Sequence, residues 1–549
     1  MKHILLILFA SLSIAGYSQP LNITTSLAGN YGELRTGRYH AGVDFRVGGV
    51  VGEKIYSVAD GYIYRLTVSP SGYGNAVYIK HKDGVFSIYG HLLNFAPQLQ
   101  ERVKQEQYEK KSFAVSVFLD PQDFPVSKGD FIGKVGNTGS SVAPHLHFEL
   151  RNSENTSPLN SISRGYVSVE DNIPPVFREL RFYSYLKESG VVTSELLAKY
   201  HSDAKDILYL PERSFIAIDA FDRQDGTTGK LGIADYSVYL DNDKIFSFQI
   251  GEYEFTDAKY FNSLIHYPAW IDTHRNFIKS YVEPGNMISH KLFYADSGLI
   301  VLEDYDLHIL RVELTDEFGN MSRRRFRIQR GDPELSAPES FSKSIFMPWF
   351  TPNIYMTDGM SFTLAPGSLY NSINFVADSV GKGEYAPIWS VHTSDVALAS
   401  RGRLGIDADV PEQLRDKAVI VKVSDSGNYY SCGGTWKDNT LFANISSFGN
   451  YTVSVDTTAP IIKPRFSKLA YISSVGQFSF TIKDELSGIA SYSVEIDGEW
   501  VLAQFDAKYS KLWVELSGHL AKERRLRDVV VKVVDNRSNI NEYKFELLW

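Results

Sequence analysis

Three placements of histidine and carboxylate in the first third of the chain could assemble a metal centre. His40-Ala-Gly-Val-Asp44 sets an imidazole and a carboxylate four residues apart. On an extended strand, positions i and i+4 face the same side, because side chains alternate with period two. His145-Leu-His147 repeats that logic at a spacing of two, so both rings leave one face with Leu146 behind them. His91, in Tyr89-Gly-His-Leu92, ends a strand. A catalytic zinc takes three N or O ligands and keeps a fourth position for water. Two imidazoles and one carboxylate leave such an ion Lewis-acidic. Two further histidines can take a proton from an attacking water and stabilise an oxyanion or protonate a leaving amine. Each element alone is a weak signal: a lone His-x-His is more often a packing feature, and His-x-x-x-Asp arises by chance. The single cysteine, Cys432, excludes a multi-cysteine zinc site within one chain, so any metal here falls to histidine and carboxylate.

The elements that must hold these residues read as strands. Between Gly52 and Leu92, apolar and polar residues alternate over 55–58, 62–68, 76–80 and 86–89. Turn pairs Asp60-Gly61, Ser71-Gly72 and Asp83-Gly84 punctuate them, which gives an antiparallel meander. Residues 98–111, rich in Glu, Gln and Lys, read as a short helix; strand text resumes over 113–119 and 126–135. Gly136-Asn-Thr-Gly139 lacks a following Lys-Ser/Thr and helix, so it reads as a turn before His145 and not as a phosphate loop.

In order, His40-Ala-Gly-Val-Asp44, Val58-Ala-Asp-Gly61, Gly72-Tyr-Gly74, Ile79-Lys-His81, Tyr89-Gly-His-Leu92, Gly129-Asp-Phe-Ile-Gly133, Gly136-Asn-Thr-Gly139 and Pro144-His-Leu-His-Phe-Glu149 resemble the pattern of the LytM/lysostaphin-type zinc endopeptidases. The resemblance spans about residues 30–155. It implies one zinc ion held by His40, Asp44 and His147, with His91 and His145 as the catalytic pair. It implies hydrolysis of peptide bonds in peptidoglycan stem or cross-link peptides. His81 and Glu149 are candidates to orient a ligand ring, each weighed against a plain structural role. Two departures stand out: a long stretch over about 93–125 between the His91 motif and the Gly129 strand, and no clear counterpart of the family's oxyanion-stabilising tyrosine, for which Tyr39 is the nearest candidate.

The expected fold class is all-β: an antiparallel peptidase core with an inserted helical segment, followed by β-sandwich modules. Residues 1–18 read as a signal peptide: a short basic start, an apolar run too short to span a bilayer, then small residues. The peptidase module is expected over 19–170. Breaks at Asp171-Asn-Ile-Pro-Pro175 and Asp456-Thr-Thr-Ala-Pro460 divide the remainder into 171–335, 336–455 and 456–549. Gly232-Ile-Ala-Asp-Tyr-Ser-Val238 matches Gly488-Ile-Ala-Ser-Tyr-Ser-Val494, and Val312 through Asn320 matches Val531 through Asn539. These pairs predict two copies of one unit resembling immunoglobulin-like modules, the first with an insertion over 242–300. Residues 194–201 are the only other stretch read as helical. Net charge is −9, from 56 basic and 65 acidic residues, which argues against a grip on nucleic-acid phosphates. The expected product is an exported, periplasmic or extracellular protein with no transmembrane segment once processed. Its sandwich modules would serve the wall or an envelope protein partner. The alternative is a non-catalytic envelope scaffold that keeps the peptidase fold for binding.

Overall fold

The computed structural model describes residues 16–548 apart from 36, 155, 289–290, 336–342, 467–475 and 517–524. The apolar run of the expected signal peptide lies outside the described residues. No described helix is long and apolar enough to cross a membrane.

Strands dominate. The site-bearing part comprises β1 (Leu27–Gly29), β2 (Leu34–Arg35), β3 (Arg38–Tyr39), β4 (Val43–Arg46), β5 (Lys54–Tyr56), β6 (Gly61–Val68), β7 (Ala76–His81), β8 (Phe86–Gly90) and β9 (Leu92–Phe95). It continues with α1 (Pro97–Glu109), β10 (Val115–Phe118), β11 (Pro125–Val126), β12 (Phe131–Val135), β13 (His145–Arg151) and β14 (Pro158–Leu159). One antiparallel sheet runs β1-β4-β13-β8-β7-β6-β10, with β11 on β6 and β14 on β13; a second, β5-β12-β9, packs beside it. The meander and the helix read from sequence are therefore present.

Period two decides which face each strand buries. On β13, Leu146, Phe148 and Leu150 point into the core while His145, His147 and Glu149 take the other face. On the adjacent β4, Val43 and Phe45 join that core and Asp44 faces with the histidines. On β6 the ladder slips between Ile63 and Arg65, leaving Tyr64 as an extra residue. That bulge explains why the buried positions run Ile63, Leu66, Val68 instead of strict alternation. Helix α1 begins with Pro97 in its first turn and buries Leu99, Val103 and Gln107, one face at spacing four.

Beyond residue 170 the two repeated segments adopt the same ladder. Asp235–Leu240 pairs with Leu307–Thr315 and sets Val238 opposite Val312. Ile489–Ile496 pairs with Leu526–Asp535 and sets Val494 opposite Val531. Residues matched in sequence thus share one register. Leu196–Tyr200 is a strand, not a helix: it is claimed by the edge of Val176–Ser184. The short helices Phe261–Leu264 and Tyr267–Thr273 were not anticipated; the second starts on His266, which accepts from the Ala269 N–H, with Pro268 in its first turn. Cys432 is half-buried.

The packing does not respect the break at Asp171. Tyr31 and Tyr39 belong to the hydrophobic core formed by the following segment, and Leu231 belongs to the first core. The end of the chain also returns. Lys508 donates to the carbonyl oxygens of Asn137 and Ser141, and Trp500 meets Tyr108 of α1 edge-on at 5.3 Å.

Candidate functional site

His40, Asp44 and His147 converge. Nε2 of His40 lies 3.1 Å from Oδ1 of Asp44 and 3.0 Å from Nδ1 of His147, which is 2.9 Å from the same Oδ1. The cause is partly different from the one expected. His147 sits directly opposite Asp44 in the β13–β4 ladder, whereas His40 lies outside any strand, in the connection between β3 and β4. It reaches the same point from that loop, and all three side chains are buried.

Four imidazoles around this point are each tied by one nitrogen. Nδ1 of His40 donates to Asn30 O at 2.8 Å, and Nδ1 of His91 to Thr138 O at 2.8 Å. Nδ1 of His145 donates to Ala143 O at 2.8 Å. Nε2 of His147 lies 3.3 Å from Oε2 of Glu149. Carbonyl oxygens only accept, so the tied nitrogens of His40, His91 and His145 carry the proton and their other nitrogens present a lone pair. His147 has a carboxylate at each nitrogen, Glu149 at Nε2 and Asp44 at Nδ1, so without a metal its Nδ1 carries a proton as well, and this Nδ1 faces Nε2 of His40 at 3.0 Å. That proton lies among Nε2 of His40, Oδ1 of Asp44 and Nδ1 of His147, the place a metal cation would take. Bonds of about 2.0–2.2 Å in tetrahedral geometry would set ligand atoms roughly 3.3 Å apart, close to the observed triangle. The donor set, two imidazoles and a carboxylate, fits zinc.

The electrostatics agree. Burial works against ionisation of Asp44, but the neighbouring His40, His145 and His147 rings outweigh it and hold the carboxyl well below its usual range. Burial opposes charge on His147 too, and is outweighed by Asp44 and Glu149, which push it up. A metal must displace that proton. Glu149, fully buried, is likewise disfavoured by burial, yet Arg151 and His147 bring it down to about 2. Its oxygens accept from Arg151 Nε at 2.7 Å and from the Tyr73 hydroxyl at 2.7 Å.

The catalytic pair expected from sequence flanks the triangle. His145 Nε2 is 3.4 Å from Asp44 Oδ1, and the His91 and His145 rings are 4.8 Å apart. His91 has φ +63°, unusual for a residue with a side chain. This kink between β8 and β9 swings its ring to the face that carries His147. Burial, then the neighbouring His147 and His145 charges, pull its pKa down to about 3, so the ring is neutral at ordinary pH. The turn at Thr138 is what holds it: Thr138 Oγ1 also accepts from Asn75 N–H and donates to Leu92 O.

His81 is not part of this group. It bonds Asp60 O and the Ser87 hydroxyl, and Ser87 in turn meets the Tyr89 hydroxyl. Ser87 and Tyr89 face the core side of β8, where Tyr89 packs on Phe148, away from His147. Tyr39 lines the cleft, but its hydroxyl is buried with no hydrogen-bond partner among the described residues.

Several contributors were not singled out in the sequence reading. Arg35 Nη2 donates to Oδ2 of Asp44 at 2.5 Å and faces the cleft with Glu33. Tyr73 sits in the quoted Gly72-Tyr-Gly74 motif, and its ring lies 5.1 Å from His147. The cleft, about 1090 Å³, is walled in part by Thr227, Thr228, Tyr253 and Phe255 from beyond residue 170.

Residues 38–108 match the family model described as Peptidase family M23, and residues 344–456 match a Zu5-like domain. A DD-carboxypeptidase/endopeptidase Mpg of Neisseria meningitidis serogroup B is 35% identical over 130 residues, 24% of each protein. The glycyl-glycine endopeptidase ALE-1 of Staphylococcus capitis is 32% identical over 114 residues, 21% of this chain and 25% of that one. Among solved structures, the catalytic domain of lysostaphin from Staphylococcus simulans is 26% identical, covering 25% of this chain and 86% of that chain, with a TM-score of 0.18. The chain thus spans about a quarter of the length of these curated relatives. Over residues 38–108 the module that carries the histidines matches peptidase family M23.

Proposed function

We propose that this protein is an exported zinc metalloendopeptidase that hydrolyses peptide bonds in peptidoglycan. The observation that carries the reading is the triangle of His40, Asp44 and His147 with two further imidazoles, each fixed by an acceptor, at its edge. When bound, zinc supplies Lewis-acid polarisation of a peptide carbonyl and lowers the pKa of a water. The chain's own residues do the rest. Nε2 of His40, Oδ1 of Asp44 and Nδ1 of His147 form the ligand set, with Glu149 holding the third ring in its tautomer. The unprotonated Nε2 of one of the pair, His91 or His145, takes a proton from the attacking water and passes that proton to the leaving amine; the other ring, once protonated at Nε2, stabilises the oxyanion. Arg35, beside Asp44, adds positive charge where an oxyanion forms.

The matched relatives include a DD-carboxypeptidase/endopeptidase and a glycyl-glycine endopeptidase by name, which supports cross-link or stem peptides as substrate. The segments beyond residue 170 that wall the cleft then narrow which peptide enters. Mass spectrometry of products from defined muropeptides tests this: the parent releases peptides, and His147→Ala loses both zinc and turnover. Bound zinc with no cleavage of any muropeptide would instead favour a non-catalytic scaffold.

A further inference from the structure

Away from the cleft, three carboxylates meet at the break between the first two segments. Asp171, Asp222 and Asp316 each bring an oxygen within 4.8 Å of the other two. Their exposures are 8%, 2% and 5%. Oδ2 of Asp171 and Oδ1 of Asp222 are buried with no hydrogen-bond partner. Among the described residues no cationic side chain is ion-paired with any of the three. The other oxygens are oriented by donors: Asp171 Oδ1 accepts from Ile173 N–H, and Asp316 Oδ1 accepts from the N–H groups of Phe318 and Asn320. The Asn320 side-chain amide donates both to Asp316 Oδ2 at 2.8 Å and to Asp171 O at 3.1 Å.

Buried acceptors without donors are costly, and carboxylates sharing one dry space repel. Burial, together with the Asp316 and Asp171 charges, pushes the Asp222 carboxyl up to about 8. A cation relieves all of these terms at once. The donors are oxygen only, which selects a hard divalent ion over zinc. We propose that Asp171, Asp222 and Asp316 bind a calcium ion at this joint.

The same frame recurs in the last segment. Asp456, Asp484 and Asp535 converge, and Asn539 donates to Asp535 Oδ2 and to Asp456 O, as Asn320 does in the first copy. There, however, the N–H groups of Ser487 and Gly488 fill oxygens of Asp456 and Asp484. The first cluster is the one left short of positive charge.

Its position ties it to the cleft. Asp222 and Leu231 exchange main-chain hydrogen bonds at 2.9 Å and so close a loop whose Thr227 and Thr228 line the cleft wall. Gln224 in the same loop accepts from Leu27 N–H of β1 at 2.8 Å. An ion at the base of the loop holds both ends of that wall.

The test is calorimetric titration of the full-length, zinc-loaded protein with calcium chloride, beside Asp222→Asn prepared in the same way. The parent is expected to take up one equivalent more calcium than the variant, at equal zinc content, and calcium is expected to raise the melting temperature of the parent alone. Equal uptake by both proteins, or none by the parent, overturns the proposal. Asp222→Asn keeps a polar side chain of the same size and should fold without calcium; if it does not, Asp171→Asn reads the same loss of one equivalent.

Discussion

Asn30 holds His40 with its main chain and the following segment with its side chain. Its carbonyl accepts the Nδ1 proton of His40 at 2.8 Å, while its amide donates to Gly232 O at 3.0 Å and accepts from Gly232 N–H at 2.7 Å. Gly232 opens one of the two matched sequence repeats. One residue therefore joins a metal-facing ring to a strand unit some 200 residues later, and the ring's orientation depends on that unit being docked. Asn30→Ala keeps the carbonyl but strands the Gly232 N–H. Urea unfolding should show a loss of about 1–3 kcal/mol, while zinc affinity, read by chelator competition, changes less than tenfold.

Glu149 tests the opposite case, a residue that touches the ligand ring but not the ion. Glu149→Gln removes the charge that fixes His147 Nε2–H and leaves Arg151 short of its carboxylate. Zinc affinity should fall by roughly 10- to 100-fold. An unchanged affinity in the same competition assay would mean that Glu149 serves packing alone.

The proposed catalytic pair separates from the proposed ligands by what each variant keeps. His145→Ala and His91→Ala should retain stoichiometric zinc and lose about 10²- to 10⁴-fold in turnover, measured as muropeptide release from purified sacculi. Digestion by His145→Ala at the parent rate would remove that ring from the mechanism.

A buried ring far from the cleft sets part of the acid stability. His266 caps the helix Tyr267–Thr273, stacks on Tyr183 at 4.0 Å, and is pushed down to about 3 by burial and then by Lys279 and Arg181. An unfolded histidine titrates near ~6.5. Between those values the unfolded chain binds the extra proton, so this residue's contribution is complete above pH ~6.5 and is lost as pH falls toward 3. Each unit is worth about 1.4 kcal/mol. His266→Asn, which keeps a capping acceptor, should flatten the slope of unfolding free energy between pH 6.5 and 4 by about 1 kcal/mol per unit. Equal slopes in parent and variant would show that other groups govern the acid limb.

How much of this was readable without coordinates follows from what is local. The strands, the helix after Ala96, the His145-x-His147 face and the shared register of the repeats all rest on period two, turn pairs or direct repetition. The convergence of His40 with Asp44 was anticipated with the wrong geometry, because the β3–β4 connection is not extended. His81 precedes His91 in the motif order yet faces the core, since the pairing of Ser87 and Tyr89 with that side decides its direction. The 194–201 stretch has helix-forming composition (Glu, Leu, Ala, Lys), but the open edge of Val176–Ser184 overrides propensity. Asn30, Arg35 and the wall residues Tyr253 and Phe255 act through contacts made only by the folded chain, and no periodicity announces them.

The grip of Lys508 on Asn137 and Ser141 has a consequence in time. Those carbonyls belong to the loop from which His145 emerges, and the side chain that seats them is encoded more than 360 positions downstream. At ~5–20 residues per second of synthesis, the loop waits roughly 20–70 s after His145 is made before its last partner exists. Seating of the loop beside the histidine cluster therefore waits on polypeptide made long after the cluster itself.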